Sequence, residues 1–226
     1  WIPQVGLSFR LPWDSEIKLI ASKGFRYPTI RELYMFRPAN ADLNPEKLWS
    51  YELSYSQRLL QGRLSYGVNA FYIDGKDLIM RVPVDGRQMN VNTGKVENAG
   101  VEAQVAYRLA SAWSLDANYS YLHMDNPVLA SPEHKLYAGA AFSKGRWYVS
   151  TGCQYVAGLY TEVKVAGQGD YATEDFVLWN LRGSFRASEW LNIWVRGENL
   201  LARKYEINAG FPMPKATVMA GVNVRF

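Results

Sequence analysis

Cysteine is almost missing from this sequence. Cys153 stands alone, which excludes an intrachain disulfide framework and a cysteine-rich zinc site. It falls on the apolar side of an alternating segment, where a thiol serves as a small hydrophobe. Histidine is scarce as well: His123 and His134 flank residues 125–133, and with Met124 they could meet in a hairpin. Two imidazoles without a third ligand at fixed spacing fall short of a metal site, so no metal is expected. No run approaches the roughly 18 apolar residues of a membrane-spanning helix. Twenty-five Lys and Arg face 21 Asp and Glu, a net charge of +4 with no basic cluster, which argues against nucleic acid as a partner. There is no nucleophile elbow and no phosphate loop. Ser120, His123 and Asp125 are close in sequence but point to alternating faces, so no hydrolytic triad forms there. An enzyme is not expected, nor a cofactor. An initiator Met and a signal peptide are also missing; opening at Trp1, the chain reads as a fragment or mature piece of something longer.

What the sequence has is alternation. Trp49, Tyr51, Leu53, Tyr55 and Leu59 alternate with Ser50, Glu52, Ser54, Ser56 and Arg58. Trp113, Leu115, Ala117, Tyr119 and Tyr121 do so with Ser114, Asp116, Asn118 and Ser120, and Val218, Ala220, Val222, Val224 and Phe226 share one face at the end. Period two places one face of a strand on something apolar and the other on polar groups or water. About eleven such segments are predicted, at 3–11, 15–24, 49–60, 63–73, 99–109, 113–124, 134–143, 146–157, 176–187, 190–199 and 215–226. Most approach the ten residues that a tilted strand needs to cross a bilayer. Short connections (LPWDSE, LQGR, LASAW, FSKGR, RASEW) alternate with long ones at 25–48, 74–98, 125–133, 158–175 and 200–214.

Short turns on one side and long loops on the other are the asymmetry of an outer-membrane barrel. Trp13, Trp49, Trp113, Trp147 and Trp190 mark strand ends, where amphipathic rings suit a membrane interface. A soluble sandwich or propeller also alternates. Its inner face would be rich in Val, Ile and Leu, whereas this apolar face is often Tyr, Ala, Gly and Trp. The expectation is an all-β, antiparallel transmembrane β-barrel in a single domain, 1–226. An odd count of eleven does not close a bacterial barrel, so further strands are expected elsewhere.

One segment breaks the alternation: GFRYPTIRELYMFRPANADLNPE, residues 24–46. Prolines interrupt it, and Thr29 and Glu32 stand at the spacing of a helix capping box. A short capped turn is predicted over Thr29 to Phe36, with Phe25 to Pro28 and Glu32 setting how the chain leaves the wall.

These motifs resemble those of TonB-dependent outer-membrane receptors. The family's F-R-x-P-x-x-x-E-L wording is similar to GFRYPTIRELY (24–34), and its L-x-P-E…YE segment to ADLNPEKLWSYELSY (41–55). FYIDGKDLI (71–79), NTGKVENAGVEAQVAY (92–107), ENLLARKYEINAGFPMP (198–214) and the terminal aromatic follow in the family's order. The resemblance implies the C-terminal half of a 22-stranded barrel in the outer membrane of a Gram-negative bacterium, with the plug domain and the TonB-contacting box lying outside the chain. It implies uptake of a metal chelate or corrinoid (siderophore or cobalamin class) energised through TonB. A passive porin-like channel and a structural or adhesive barrel remain alternatives. Val222, Val224 and Phe226 resemble the signal read by the barrel-assembly machinery. The expected partners are outer-membrane lipids and lipopolysaccharide, the protein's own plug and remaining strands, TonB, the assembly machinery and a small-molecule ligand. Heme receptors of the family carry a His between these motifs; residues 28–43 hold none, which counts against heme.

Two residue sets follow. Arg10, Lys18, Arg58, Arg108, Arg182, Arg186, Arg196 and Arg225, with Glu16, Glu52, Glu102, Asp116 and Glu198, fall on the polar face. Arg or Lys at the bilayer midplane costs about 2–4 kcal/mol, so this face belongs in the lumen. These charges could form a wall of cross-strand ion pairs; the resemblance implies a plug-facing socket, for which Arg58, Glu102, Arg182, Arg196 and Glu198 are the candidates. The long connections supply the ligand candidates: Tyr27, Arg31, Tyr34, Met35, Phe36, Arg37, Tyr160, Tyr171, Tyr205 and Phe211, with Arg81 and Arg87 beside them. Aromatics and Arg stack on planar ligands and offer forked donors to anionic ones; loop packing and interface anchoring are the other uses of such residues.

Overall fold

A computed structural model describes residues 1–35, 38–162 and 172–225 of the chain. The strands, in chain order, are β1 (Gln4–Leu11), β2 (Ser15–Arg26), β3 (Glu46–Leu59), β4 (Leu64–Val84), β5 (Arg87–Arg108), β6 (Trp113–Met124), β7 (Pro132–Lys144), β8 (Trp147–Glu162), β9 (Ala172–Arg186), β10 (Leu191–Glu198), β11 (Glu206–Asn208), β12 (Phe211–Pro212) and β13 (Thr217–Val224). Eleven of them form one antiparallel sheet in the order β1 to β10, then β13, while β11 and β12 pair separately. Each strand lies beside its sequence neighbour, the meander of an up-and-down barrel wall. β1 and β13 each carry one unpaired edge within the described residues. A single helical turn, α1 (Ile30–Leu33), interrupts the meander.

The registers carry the apolar parity across the whole sheet. Leu7 pairs with Leu19, Leu19 with Leu53, Leu53 with Ala70 and Ala70 with Val101. The row continues through Val101 with Tyr121 and Tyr121 with His134. Leu7, Leu53 and Val101 on this face stay exposed, as lipid-facing side chains do when no lipid covers them. The predicted lumen charges all fall on the opposite parity. Trp13, Trp113, Trp147 and Trp190 gather at the short-turn end and Trp49 at the long-loop end, which places aromatics at both rims.

The polar face contains aromatic rings lying over glycines. A Cβ on Gly139 would meet the Tyr137 hydroxyl at 2.6 Å, and one on Gly152 the same ring at 2.7 Å. Trp194 covers Gly221 in the same way, at 2.7 Å. A large ring laid along the sheet replaces the packing that the missing side chain would supply, and pins the register. At the short-turn end, Arg63 Nε and Nη2 donate to the carbonyls of Arg108 and Leu109, at 3.2 and 2.7 Å. Arg108 returns a bond to the Gly62 carbonyl at 3.0 Å, so adjacent turns are tied together.

The expected connection at 74–98 is not a loop. β4 and β5 run on past the end of β3 as a hairpin paired from Leu78 to its tip at Val84 and Arg87. The tip is Asp85–Gly86, both at positive φ (49° and 72°), the two-residue turn whose twist matches antiparallel strands. The overhang is about 30 Å at the usual rise per residue. Its pattern was hidden by a bulge near Asp77 (φ 61°), where the register shifts and the alternation slips. β8 and the start of β7 also outrun their predicted ends, and β11 and β12 structure the connection predicted at 200–214.

Candidate functional site

The long-loop end is built around Arg26. Arg26 pairs in register with Glu46, and both share the parity of Glu52 and Ser54, the polar inner face. The guanidinium grips Glu46 with Nε at 2.6 Å and Nη2 at 2.7 Å. Its Nη1 and Nη2 also hold Glu32, at 3.0 and 3.1 Å. One planar fork thus binds two carboxylates, a geometry that lysine cannot reproduce. Glu32 simultaneously closes a capping box: it accepts from the Thr29 amide at 2.7 Å while the Thr29 hydroxyl accepts from the Glu32 amide at 3.3 Å. Arg26, followed by the Thr29 bonds, pulls the Glu32 carboxyl down to about 2. Glu46 also accepts from the Ile79 amide at 2.9 Å, which ties the cluster to the β4–β5 hairpin. Because Arg26 and Glu46 lie on the inner face, Glu32 draws α1 over the inner side of the wall.

The rest of this loop is stapled to the hairpin by asparagines. Asn92 accepts from the Asn44 amide at 2.7 Å and donates to the carbonyls of Asn44 (2.9 Å) and Asp77 (2.7 Å). Asn40 donates to the Asn90 carbonyl at 2.8 Å, and the Asn90 amide to the Pro38 carbonyl at 2.8 Å. The Asn92 side chain makes three bonds, each worth about 1 kcal/mol net. Asn92→Ala is therefore expected to loosen residues 38–46. Limited proteolysis should cut that segment several-fold faster, and Asn92→Asp should protect it no better, because it sets a carboxylate oxygen against the Asn44 and Asp77 carbonyls.

The last loop is shaped by Asn199, 4% exposed and at φ 48°. Its side chain donates to the carbonyls of Arg203 (2.8 Å) and Pro214 (3.1 Å) and accepts from the Arg203 amide at 2.9 Å. This returns the chain so that the Tyr205 ring packs on Phe176, centroids 4.4 Å apart, beside Val156 and Leu159.

The predicted ligand residues separate on this frame. Tyr27, Arg31, Tyr34 and Met35 are exposed around α1, and Tyr27 meets Phe25 edge to face at 4.8 Å. Phe211 is exposed on β12, and Arg81 and Arg87 on the hairpin. Two of the candidates are engaged by neighbours. Tyr205 lies in the last connection, half-buried, with its ring against the small apolar cluster. Tyr160 lies within β8, on the face opposite Leu159, and its hydroxyl donates to Glu133 at 2.6 Å. Phe36, Arg37, Tyr171 and Phe226 lie outside the described residues. Glu46, Asn90, Asn92 and Asn199 were given no role from sequence. The Asn-x-Asn of MNVNTG, beside a strand that starts after Asp-Gly, was the legible signal for two of them.

Below the Arg26–Glu46 pair, the inner-face ion pairs among the described residues run mostly along strands rather than across them. Lys18–Glu16 (2.9 Å) and Arg196–Glu198 run along single strands, at two-residue spacing. Arg58 reaches Asp14 in the neighbouring turn at 3.7 Å. Across strands Arg10 faces Glu16, but most other lateral neighbours of these charges are neutral or of like sign: Lys18 faces Ser54, Glu102 faces Ser120, and Arg182 faces Arg196 directly. Arg10, Glu16, Arg58 and Asp116 surround a concave recess of about 730 Å³. Glu102 lines a second, of about 450 Å³, with Lys135 and Asn69. Val222 and Val224 lie exposed on the lipid-facing parity of β13.

The family described as "TonB dependent receptor-like, beta-barrel" matches residues 1–200. The Vitamin B12 transporter BtuB of Photobacterium profundum is 19% identical across 99% of this chain. The Ferric-pyoverdine M114 receptor PbuA of a Pseudomonas species is 25% identical across 71% of it. The chain spans only 37% and 21% of these two relatives. Among solved structures, the Copper transporter OprC superposes with a TM-score of 0.81 at 19% identity, covering 99% of this chain and 39% of that one.

Proposed function

This chain belongs to the TonB-dependent receptor β-barrel family, and from that premise we propose that the whole protein takes up a metal chelate or corrinoid, energised through TonB. The family's members are outer-membrane proteins of Gram-negative bacteria, and the aromatic rims and apolar outer parity of this sheet suit that place. The observation that carries the uptake reading is the rim unit built on Arg26. It fixes a loop over the inner side of the wall and leaves Tyr27, Arg31, Tyr34 and Met35 exposed beside it. Rigid positioning of aromatic and cationic groups is what a scarce ligand requires, because little ordering entropy remains to be lost on binding. Phe36, Arg37, Tyr160, Tyr171, Tyr205 and Phe211 join this set on the resemblance.

The inner face supports the second half of the reading. Charges with neutral or like-charged lateral neighbours leave hydrogen-bonding capacity for something inside the barrel. A plug seated on Arg58, Glu102, Arg182, Arg196 and Glu198 would use it, through hydrated contacts that can rearrange during transport. Val222, Val224 and Phe226 would guide assembly. A cell lacking the gene should lose uptake of one member of a panel of ferric siderophores and cobalamin, and a cell lacking TonB should lose the same uptake. Uptake that persists without TonB would make the barrel a passive channel. No lost uptake in the deletion would make it structural or adhesive.

A further inference from the structure

The lipid-facing side of the wall changes character at one height. Below Trp49, Tyr51 and Tyr72, the outward positions of β1–β4 are uncharged, whereas Lys23, Lys47, Asp74 and Lys76 point outward at or above that ring level. The rings form a flat step: Trp49 and Tyr51 are stacked 6.0 Å apart, and Tyr51 and Tyr72 6.5 Å apart. Lys23 Nζ sits 5.6 Å over the Trp49 ring. Directly beneath runs a groove of about 460 Å³ lined by Val5, Leu7, Leu19, Ala21, Leu53 and Ala70. It exists because Ala21 and Ala70 occupy outward positions between bulky neighbours. Lys47 pairs with Asp77 at 2.9 Å and Lys76 with Asp74 at 3.4 Å. Among the described residues, Lys23 has no carboxylate partner.

An apolar groove, an aromatic step at interface height and cations immediately above reproduce, in order, the parts of an anionic amphiphile. We propose that the outer surface of β1–β4 is a binding site for one phosphorylated lipid of the outer leaflet. Its acyl chain fills the groove between Ala21 and Ala70, and its phosphate sits between Lys23 and Lys47, drawing Lys47 from Asp77. The long-loop end is the outer end of such a barrel, which places the site in the outer leaflet. Lysine near an anionic lipid surface contributes about 1 kcal/mol, or about a fivefold change in binding. The site is separate from the rim unit and does not depend on what the receptor transports.

The test uses the full-length receptor purified in detergent, with bound lipid counted by native mass spectrometry. The probes are bisphosphorylated lipid A, its dephosphorylated form, and phosphatidylglycerol. Bisphosphorylated lipid A should bind best. Lys23→Ala and Lys47→Ala should each weaken it about fivefold, and the double variant about thirtyfold. Asp77→Asn should strengthen it by releasing Lys47. Ala21→Phe should displace the lipid while both lysines remain. Heat-modifiable migration of each variant on gels reports whether the barrel folded, and Asp77→Asn still decides the matter if Ala21→Phe does not fold. Equal binding of phosphorylated and dephosphorylated lipid, or an unchanged affinity in the double lysine variant, would overturn the proposal, as would preferential binding of phosphatidylglycerol.

Discussion

Gly100→Val is expected to reduce the amount of folded receptor in the outer membrane several-fold, whereas Gly183→Ala should leave it unchanged. Both glycines lie in strands of the wall, and glycine in a strand interior is ordinarily a weak point that a larger residue would strengthen. What separates them is the surrounding space. A Cβ on Gly183 would have only Val195 nearby, at 3.7 Å, an ordinary contact. A Cβ on Gly100 would press into the Phe71 ring and come within 2.6 Å of the Tyr121 carbonyl oxygen. The ring can turn aside. The carbonyl belongs to β6, in the sheet ladder with β5, and cannot move without breaking register. Overpacking against a fixed backbone costs on the order of 3 kcal/mol, enough to change cellular abundance several-fold. Phe71→Ala should rescue Gly100→Val only in part, because it frees the ring side and leaves the carbonyl. Heat-modifiable migration of the barrel in isolated outer membranes measures all four forms. Equal abundance of Gly100→Val and the unaltered protein would refute the account.

The wall was legible in the sequence because a barrel strand has two solvents. Lipid on one side and a polar lumen on the other force strict alternation, so Trp49 to Arg58 declare both faces at once. The same rule fails where either solvent is lost. Beyond Gly75 the hairpin outruns β3, and a bulge at Asp77 shifts its parity, so Leu78 to Val84 read as loop although they are strand. Asp85–Gly86 was the remaining sign of the turn. Tyr205 shows the complementary limit. It stands in a connection, and Asn199 folds that connection back and delivers the ring to Phe176. Such contacts join residues far apart in sequence, and no local period reports them. The capping box was legible because it is local: Glu32 stands only three positions after Thr29. That Glu32 also shares a guanidinium with Glu46 was not, because Arg26 and Glu46 meet only through the β2–β3 register.

Arg26→Ala should cost the receptor its ligand affinity, by about tenfold or more, while leaving the barrel assembled. Arg26 is 45% exposed at its side chain, but Glu32 and Glu46 are only 24% and 13% exposed. Removing the guanidinium leaves two poorly solvated carboxylates facing each other. Breaking a fully buried pair costs about 3–5 kcal/mol and a surface pair under about 1, so about 2 kcal/mol is expected here. That energy holds a loop and not the wall, whose strands keep their own ladders. Arg26→Lys should recover little, since an ammonium cannot grip both carboxylates edge-on. Acid should imitate the substitution. The Glu32 carboxyl is lowered from 4.5 to about 2 in the folded protein. Its contribution is therefore complete above about pH 4.5 and is lost as the pH falls from there towards 2. Hydrogen exchange across residues 27–46 should stay slow at pH 6 and speed up below about pH 4 once corrected for intrinsic rates. In Arg26→Ala it should be fast at both, and this step in pH should largely disappear. Slow exchange in Arg26→Ala at pH 6, with ligand affinity intact, would mean that the loop is held by Asn40, Asn90 and Asn92 alone.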